Sequence, residues 1–527
     1  MDQNQLREAR ELLKDHLVEN EESSLQTYQL LHNIYEKNLL PIKGNICFSS
    51  ALIVILCHLS RPLNWFKFNI YLYQEANKPH IPLNVYGMNI LKSGGGKGLT
   101  TNTLNSLLSF KNIQNEYIDT LQIDSEHAEE QAILHTLAGA EMQDCATTAG
   151  LRSINKLLNN CFKELNITNT FGSVFFNLEE FADTLENATN FDKDFLSTLK
   201  NLYDLGNTGA KAISEQIKEA IEGFGVSFLA STTEKTLQEN PKVSKAFNNY
   251  LISGNARRSL FSMPCESEVK LLEQKNENKQ SMSLRQWHEQ TRYKEDGQID
   301  ELKKNLYLTM KKLIKLKQAR TTNLLVDDDA YFYYRVYKAY CNEVKDQINN
   351  EILKVEVENR AWKALKISGI LTLYCSTDTV VTPTLFLNAV KIVEFYGHHL
   401  KRYLNNRVLG CADKIVELLL DKHCAVTQTE LAHNNEVLSY NSKNETPVKF
   451  LKAQMEDVEQ ILNNKGYDLV CQKTGYRSKV VVYAAIDNTY GDNYKIDNKP
   501  PYKIINNLPQ KQTKVDPLSR VKSKTHK

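Results

Sequence analysis

Apolar residues recur at helical spacing along much of this chain, and short apolar runs interrupt that rhythm. Leu6, Leu12, Leu13 and Leu17 stand among charges in a helical pattern. The polar stretch Glu19 to Ser24 divides residues 5–40 into two helices, the second turning Leu30, Leu31, Ile34 and Tyr35 inward. The run Ile46 to Leu59 carries only Ser49, Ser50 and His58 as polar breaks. It is too short to span a bilayer and predicts a buried helix. Residues 81–92 read as a strand, with Val85, Tyr86, Met88 and Ile90 suited to it. A Gly-rich turn stops that strand, and Leu99 to Phe110 is compatible with a helix.

Further along, Leu151, Ile154, Leu157 and Leu158 predict an amphipathic helix over 151–165. Val174-Phe175-Phe176 is a short apolar run that meets Glu179-Glu180, and 193–221 is rich in helical pattern. Gly225 to Ala230 reads as a strand ending at Ser231-Thr232-Thr233. Apolar strands alternating with helices predict an α/β sheet over 63–265. The segment from Glu266 to Gln298 is polar and reads as a linker or exposed loop, and 299–404 reads as helical, with Thr382-Pro383 as a helix start. In 405–486, a helix over 410–422, a capping box at Thr427-Gln428-Thr429-Glu430, a helix over 446–465 and two strand-like runs make three helices and a hairpin, the winged-helix pattern.

The expected fold class is therefore α/β. It has an N-terminal helical region at 1–62, an α/β core at 63–265, a linker and helical region at 266–404, a winged-helix unit at 405–486 and a disordered tail at 487–527. Length fits this division, since 527 residues exceed one ordinary core. The tail carries nine Lys/Arg against four Asp from Asp487 onward, a composition suited to loose polyanion contact. Ten scattered cysteines without a Cys-x-x-Cys pair argue for reduced thiols and against a zinc ribbon. No signal peptide is visible, so the expected location is a cytoplasm, bacterial or phage-infected, with no membrane partner. The overall charge of +2 by itself says nothing about nucleic acid.

The candidate chemistry begins at Ser93-Gly94-Gly95-Gly96-Lys97-Gly98. Successive glycines let backbone N–H groups turn inward around phosphate oxygens, and the helix N-terminus adds positive potential. The expected cradle runs Ser93, Gly94, Gly95, Gly96, Lys97, Gly98, Leu99 and Thr100, with Lys97 as the charge on the terminal phosphates. The pattern G-x-x-x-x-G-K-[ST] is met at Gly96 and Lys97, whereas Leu91 stands at its leading glycine and Gly98 at its hydroxyl position. Thr100, or Thr101, is the expected substitute for the missing magnesium hydroxyl. A plain strand-to-helix turn has the same composition.

Glu179-Glu180 ends a strand as a pair that would hold magnesium (Glu179) and polarise water (Glu180). Exposed acids at a strand end are the ordinary alternative. Thr232 is the expected γ-phosphate sensor, unless Ser231-Thr232-Thr233 merely caps the next helix. Arg257 and Arg258 are candidate arginine fingers, against an ordinary surface role. The basic stretch Lys303 to Arg320 suits either phosphates or a solvated helix face with Leu306, Met310, Leu313 and Leu316 inward. In the C-terminal unit Lys449, Lys452, Lys473, Arg477 and Lys479 are the expected DNA contacts. His127, His135, His398 and His399 lack metal spacing and read as structural.

The order of these elements resembles phage, plasmid and mobile-element P-loop proteins of the primase/helicase-like ATPase kind. The resemblance spans about residues 30–405. It rests on the buried helix, Lys92 to Lys97, Thr147-Thr148-Ala149-Gly150-Leu151, Gly172 to Phe181, Leu199 to Asp204, Ser253 to Arg258 and Val381-Thr382-Pro383-Thr384-Leu385 in succession. It implies a RecA-like ATPase using ATP and Mg2+, working as a homo-oligomeric ring on single-stranded or forked DNA, with a separate primase or polymerase. The residues before the loop strand are too few for a primase of its own. The resulting expectation is an ATP-driven DNA helicase or translocase. A nucleotide-binding, DNA-binding initiator or loader with slow or no hydrolysis is the alternative, favoured by Gly98 and Glu179. An interaction protein with a vestigial loop is the third.

Overall fold

A computed structural model describes residues 3–17, 29–39, 46–91, 97–143, 147–186, 190–209, 211–213, 216–218, 220–264, 268, 284–405, 411–422, 425–433, 447–464, 466–474, 480–487, 494–496 and 503–506. The strands are β1 (Asn69–Tyr71), β2 (His80–Pro82), β3 (Tyr86–Leu91), β4 (Glu141–Met142), β5 (Val174–Leu178), β6 (Lys211–Ile213), β7 (Gln216–Lys218), β8 (Val226–Thr233), β9 (Ser259–Ser262), β10 (Asn323–Val326), β11 (Val380–Val381), β12 (Val426–Thr427), β13 (Tyr467–Thr474), β14 (Val480–Asp487), β15 (Tyr494–Ile496) and β16 (Ile504–Asn506). Contacts divide the chain into two units, Met1–Asn406 and Arg407–Lys527.

The centre of the first unit is a five-stranded sheet in the order β4-β5-β8-β3-β9, and every neighbouring pair in it is parallel. Strands β3, β5 and β9 are buried at every position, as a parallel sheet covered on both faces requires. That is why Val174-Phe175-Phe176 is a continuous apolar run and Val226 to Ala230 is broken only by the buried Ser227. The helix Phe48–Trp65 packs on β3 and β8, and all of its 18 residues except Arg61 are buried. A helix apolar on every side belongs inside a core. Two of its polar side chains pair across the interface: Ser60 Oγ lies 2.7 Å from Ser227 Oγ, and Asn64 Nδ2 donates to the same hydroxyl at 2.8 Å.

A second sheet, β11-β10-β1-β2, joins residues 69–82 to residues 323–381. Its β10 runs parallel to both β1 and β11, while β1 and β2 are antiparallel. One hydrophobic core consequently runs from Leu13 to Tyr403. The divisions expected after residues 62 and 265 do not separate compact units. The buried helix and the helices after 284 share the core of the central sheet. The expected 81–92 strand is really two, β2 and β3, which belong to different sheets. The helix-rich pattern at 193–221 holds only for Asn190–Leu205, after which β6 and β7 form a small hairpin.

The helix Leu284–Gln318 begins inside the expected linker. Leu306, Met310 and Leu313 are buried and Leu316 packs beside them. Several of the basic residues tie this helix down: Lys311 pairs with Glu116, Lys312 Nζ donates to Ser376 O at 2.6 Å, and Lys317 Nζ donates to Thr170 O at 2.7 Å. Lys317 is 2% exposed, and burial, with Lys67 nearby, pulls its pKa from the ordinary 10.5 down to about 7. Between about 7 and 10.5 the unfolded chain therefore binds more protons at this residue, so stability rises with pH across that window. Thermal melts at pH 7, 8 and 9 are expected to show that rise, limited to about 1.4 kcal/mol per pH unit for one group. Lys67, whose pKa burial lowers to about 8, adds to the same rise, so Lys317→Met should reduce the slope rather than abolish it; an unchanged slope in the variant would exclude Lys317 as a source.

The second unit contains helices Cys411–Lys422, Gln428–Ala432 and Pro447–Asn464 and an antiparallel sheet in the order β12-β14-β13. The three helices and hairpin expected from the sequence are present. The capping box is formed in full: Glu430 N donates to Thr427 Oγ1 at 3.1 Å, and Thr427 N donates to Glu430 Oε2 at 2.8 Å. The expected disordered tail begins instead with the antiparallel pair β15–β16, whose Ile496 is buried beside Val482 and Ala484. Among the described residues no helix is long and apolar enough to cross a membrane.

Candidate functional site

The carboxyl ends of β3, β8 and β5 lie side by side, because β8 sits between the other two. The connection from β3 leads to β4 on one side, whereas β9 joins β3 on the other. Ligands of open parallel sheets bind outside the strand carboxyl ends where the order reverses in this way. Leu91 ends β3 and is paired with Thr233, so the position of the usual leading glycine is a ladder residue. Residues Lys92, Ser93, Gly94, Gly95 and Gly96 lie outside the described residues, as do the side chains of Lys97 and Leu99. A helix starts at Lys97 and runs to Leu108. Strand, short connection and helix therefore follow one another as expected.

Glu179 is the first residue after β5, and its side chain reaches that helix. A Cβ built on Gly98 would lie 3.3 Å from Glu179 Oε1 and 3.5 Å from Oε2. A carboxylate at the first turn of a helix is in favourable potential. Glu180 is exposed, and its backbone carbonyl accepts from Asp183 N at 3.1 Å as the helix Phe181–Glu186 begins. Thr100 and Thr101 are both buried.

The two threonines that end β8 have different roles. Thr233 caps the helix Glu234–Glu239, accepting from Thr236 N at 3.2 Å. Thr232 is 1% exposed, and its Oγ1 has no hydrogen-bond partner among the described residues. Asn89 Oδ1, near the end of β3, is in the same position. Buried polar atoms are nearly always satisfied, so orphaned ones at the end of a parallel sheet suit a site that takes a polar ligand.

Arg258 is only 6% exposed. Its guanidinium donates to Gly254 O at 3.0 Å and to Asp204 Oδ2 at 2.5 Å. The structure thus gives it an ion pair within its own chain. Arg257 lies farther from the same carboxylate, at 3.7 Å, with a side chain 38% exposed. His399 is a core residue, whose Nδ1 accepts from Met263 N at 3.0 Å. Burial, aided by Arg402 and His398, pulls its pKa down to about 3.

Sequence reasoning missed a polar cluster beneath the loop helix. Arg61 donates to Glu141 Oε2 at 2.7 Å, to Asn105 Oδ1 at 3.2 Å and to Gly139 O at 3.3 Å. Asn105 Nδ2 and Asn177 Nδ2 also donate to the Glu141 carboxylate, at 3.3 and 3.5 Å. The Arg61 guanidinium lies over the rings of Phe110 and Phe175. Burial lowers its pKa, partly offset by Glu141. Asn105 is on the loop helix and Asn177 on β5, so this cluster ties together the two elements that bring Gly98 to Glu179. Arg61, the one arginine in the buried helix and its one residue that is not buried, was the local sign of this cluster.

In the second unit Lys449 and Lys452 are exposed on the helix Pro447–Asn464, and Lys473 is exposed on β13. Arg477 and Lys479 lie outside the described residues. No group of three or more His, Cys, Asp or Glu able to hold a metal occurs among the described residues. Magnesium held with a nucleotide needs no such group, since one or two carboxylates and the phosphates suffice. Among known proteins, no family model matches the chain and no curated sequence matches it.

Proposed function

We propose that the first unit is a RecA-like P-loop ATPase and that the protein moves along DNA as a helicase or translocase. The observation that carries this reading is the approach of Glu179, at the end of β5, to Gly98, in the first turn of the loop helix. A nucleotide would bind with its phosphates at that helix start, where backbone N–H groups and Lys97 favour negative charge. The strand order supports the reading, because the polar-ended β8 lies between the loop strand and the acid-bearing strand.

The residues fit magnesium: Glu179 offers a hard oxygen donor beside the space that glycine leaves at Gly98. When bound, the ion would neutralise phosphate charge and polarise the phosphoryl group. Glu179 would hold it at the helix start, Glu180 would orient and deprotonate the attacking water, and Thr232 Oγ1 would bond the terminal phosphate. The second unit supports a winged-helix reading, with three helices and the β12-β14-β13 sheet. Lys449, Lys452 and Lys473 would then contact the DNA backbone, making binding strongly salt-dependent.

The pairing of Arg258 with Asp204 favours a second reading, a nucleotide-binding loader with slow hydrolysis. DNA-stimulated ATPase assays separate the two. Turnover that rises with single-stranded DNA and drops about 100-fold or more in both Lys97→Ala and Glu180→Gln is expected of the motor. Nucleotide binding with no turnover supports the loader. Absence of any nucleotide binding would sink both.

A further inference from the structure

We infer that Gly98 and Glu179 are a reciprocal pair, in which the longer acid takes over the magnesium contact that the missing hydroxyl would have made. The inference rests on the nucleotide-binding reading above and deepens it. Two departures from the usual pattern occur together: glycine replaces a hydroxyl residue at 98, and glutamate replaces aspartate at 179. The structure places them against each other.

Glycine is the poorest helix former after proline, so its presence in a first turn calls for a reason. Backbone conformation is not the reason, because Gly98 is absent from the glycines with positive φ. Space is. The three atoms nearest to a Cβ at position 98 are Oε1, Oε2 and Cδ of Glu179, at 3.3, 3.5 and 3.8 Å. A serine Cβ would stand tight against the carboxylate, which would have to give way by a few tenths of an ångström, and the serine hydroxyl would compete with it for the same edge. An aspartate at 179 would draw the carboxylate back by one methylene and leave that volume open. Serine with aspartate, or glycine with glutamate, fills it once; the mixed combinations crowd it or leave it empty.

Thr100 does not replace the hydroxyl on the Glu179 side. It follows Gly98 by two residues, about 200° around the helix, and so faces away from what Gly98 faces. Thr101, three residues on, lies nearer the face of Gly98 but about 4.5 Å further along the helix. At the helix start the contact with magnesium therefore falls to Glu179, whose carboxylate lies against Gly98.

A double-mutant cycle on the full-length protein tests this, read by binding rather than turnover. A fluorescent ATP analogue is titrated with Mg2+ or with EDTA, and Mn2+ with ADP is followed by electron paramagnetic resonance. Wild type is expected to bind the analogue more tightly with Mg2+. Glu179→Asp alone and Gly98→Ser alone should each lose about tenfold of that gain, and the Gly98→Ser/Glu179→Asp protein should recover most of it. The bound Mn2+ signal should follow the same order. If the double variant is no better than Glu179→Asp, or if Glu179→Gln keeps the full Mg2+ gain, the pairing is wrong. A lower melting temperature in Glu179→Gln with an unchanged Mg2+ gain would make the contact a helix cap only. Should Gly98→Ser fail to fold, Glu179→Asp against the double variant still decides the matter. Absence of nucleotide binding in wild type, with or without Mg2+, would instead overturn the nucleotide reading and the pairing with it.

Discussion

Replacing Arg360 with leucine is expected to remove roughly 3–5 kcal/mol of stability, because it leaves buried carboxylates without their main counter-charge. Arg360 donates through Nε to Glu356 Oε2 at 2.9 Å and through Nη1 to Glu394 Oε2 at 2.6 Å. Lys363 Nζ donates to Glu356 Oε1 at 2.6 Å and also to Ser259 O of β9 at 3.2 Å. Tyr337 donates to Glu394 Oε1 at 2.5 Å. All four charged residues are buried, and their two positive and two negative charges cancel. The packing is built around the guanidinium: a Cβ on Gly397 would stand 2.1 Å from Arg360 Nη2.

Without Arg360 the cluster would hold two acids against one lysine. Arg360→Leu/Glu394→Gln restores neutrality and should be more stable than the sum of the single changes predicts. Urea denaturation measures both, and a cost below about 1 kcal/mol for Arg360→Leu would show the cluster to be dispensable. Burial pushes the Glu356 carboxyl up, but Arg360 and Lys363 outweigh it and hold it below its ordinary value. Its stabilising contribution is thus present above the ordinary carboxylate range and is lost as pH falls through the lowered folded value. In Arg360→Leu that loss should begin at a higher pH.

Trp65→Ala is the second large effect, with an expected cost of about 3–5 kcal/mol. Trp65 is fully buried, its ring centroid 4.8 Å from Phe66, 6.0 Å from Phe110, 5.4 Å from Tyr117 and 4.8 Å from Phe171. Its carbonyl accepts from Gly172 N at 2.8 Å. Phe110 follows the loop helix and Phe171 precedes β5, so the ring fills the space between the two supports of the candidate site. Alanine would leave a void among rigid rings, which close in poorly. The indole Nε1 has no hydrogen-bond partner among the described residues. Trp65→Phe should therefore cost less than half as much as Trp65→Ala. Equal losses in the two variants, measured by denaturant melts, would show that the N–H rather than the volume matters.

Local features were legible because their causes are local. The apolar run from Ile46 marks a buried helix, Val174 to Leu178 a buried strand, and Thr427 with Glu430 a capping box. Thr382-Pro383 starts a helix, where Leu385 N donates to Thr382 Oγ1 at 3.4 Å. Each of these depends on side chains a few residues apart. The basic stretch before Arg320 shows the limit of such reading. Its inward leucines were visible, but the partners of its lysines come from Glu116, Thr170 and Ser376, far away in the chain.

By itself the sequence determined that an apolar strand leads to a Gly-rich turn and a helix, that Glu179 follows a buried strand, and that three helices precede a hairpin near the C-terminus. Periodicity and turn chemistry act over a few residues, so they need no tertiary context. Only the tertiary structure decided that Glu179 meets Gly98, that Arg61 joins Asn105 to Glu141, and that Arg258 is spent on Asp204. Those meetings depend on strand order, which places β8 between β3 and β5 and brings residues distant in sequence to one edge of a sheet. A side chain's identity restricts what it can bond, but burial and the arrival of a distant partner decide which bond it makes.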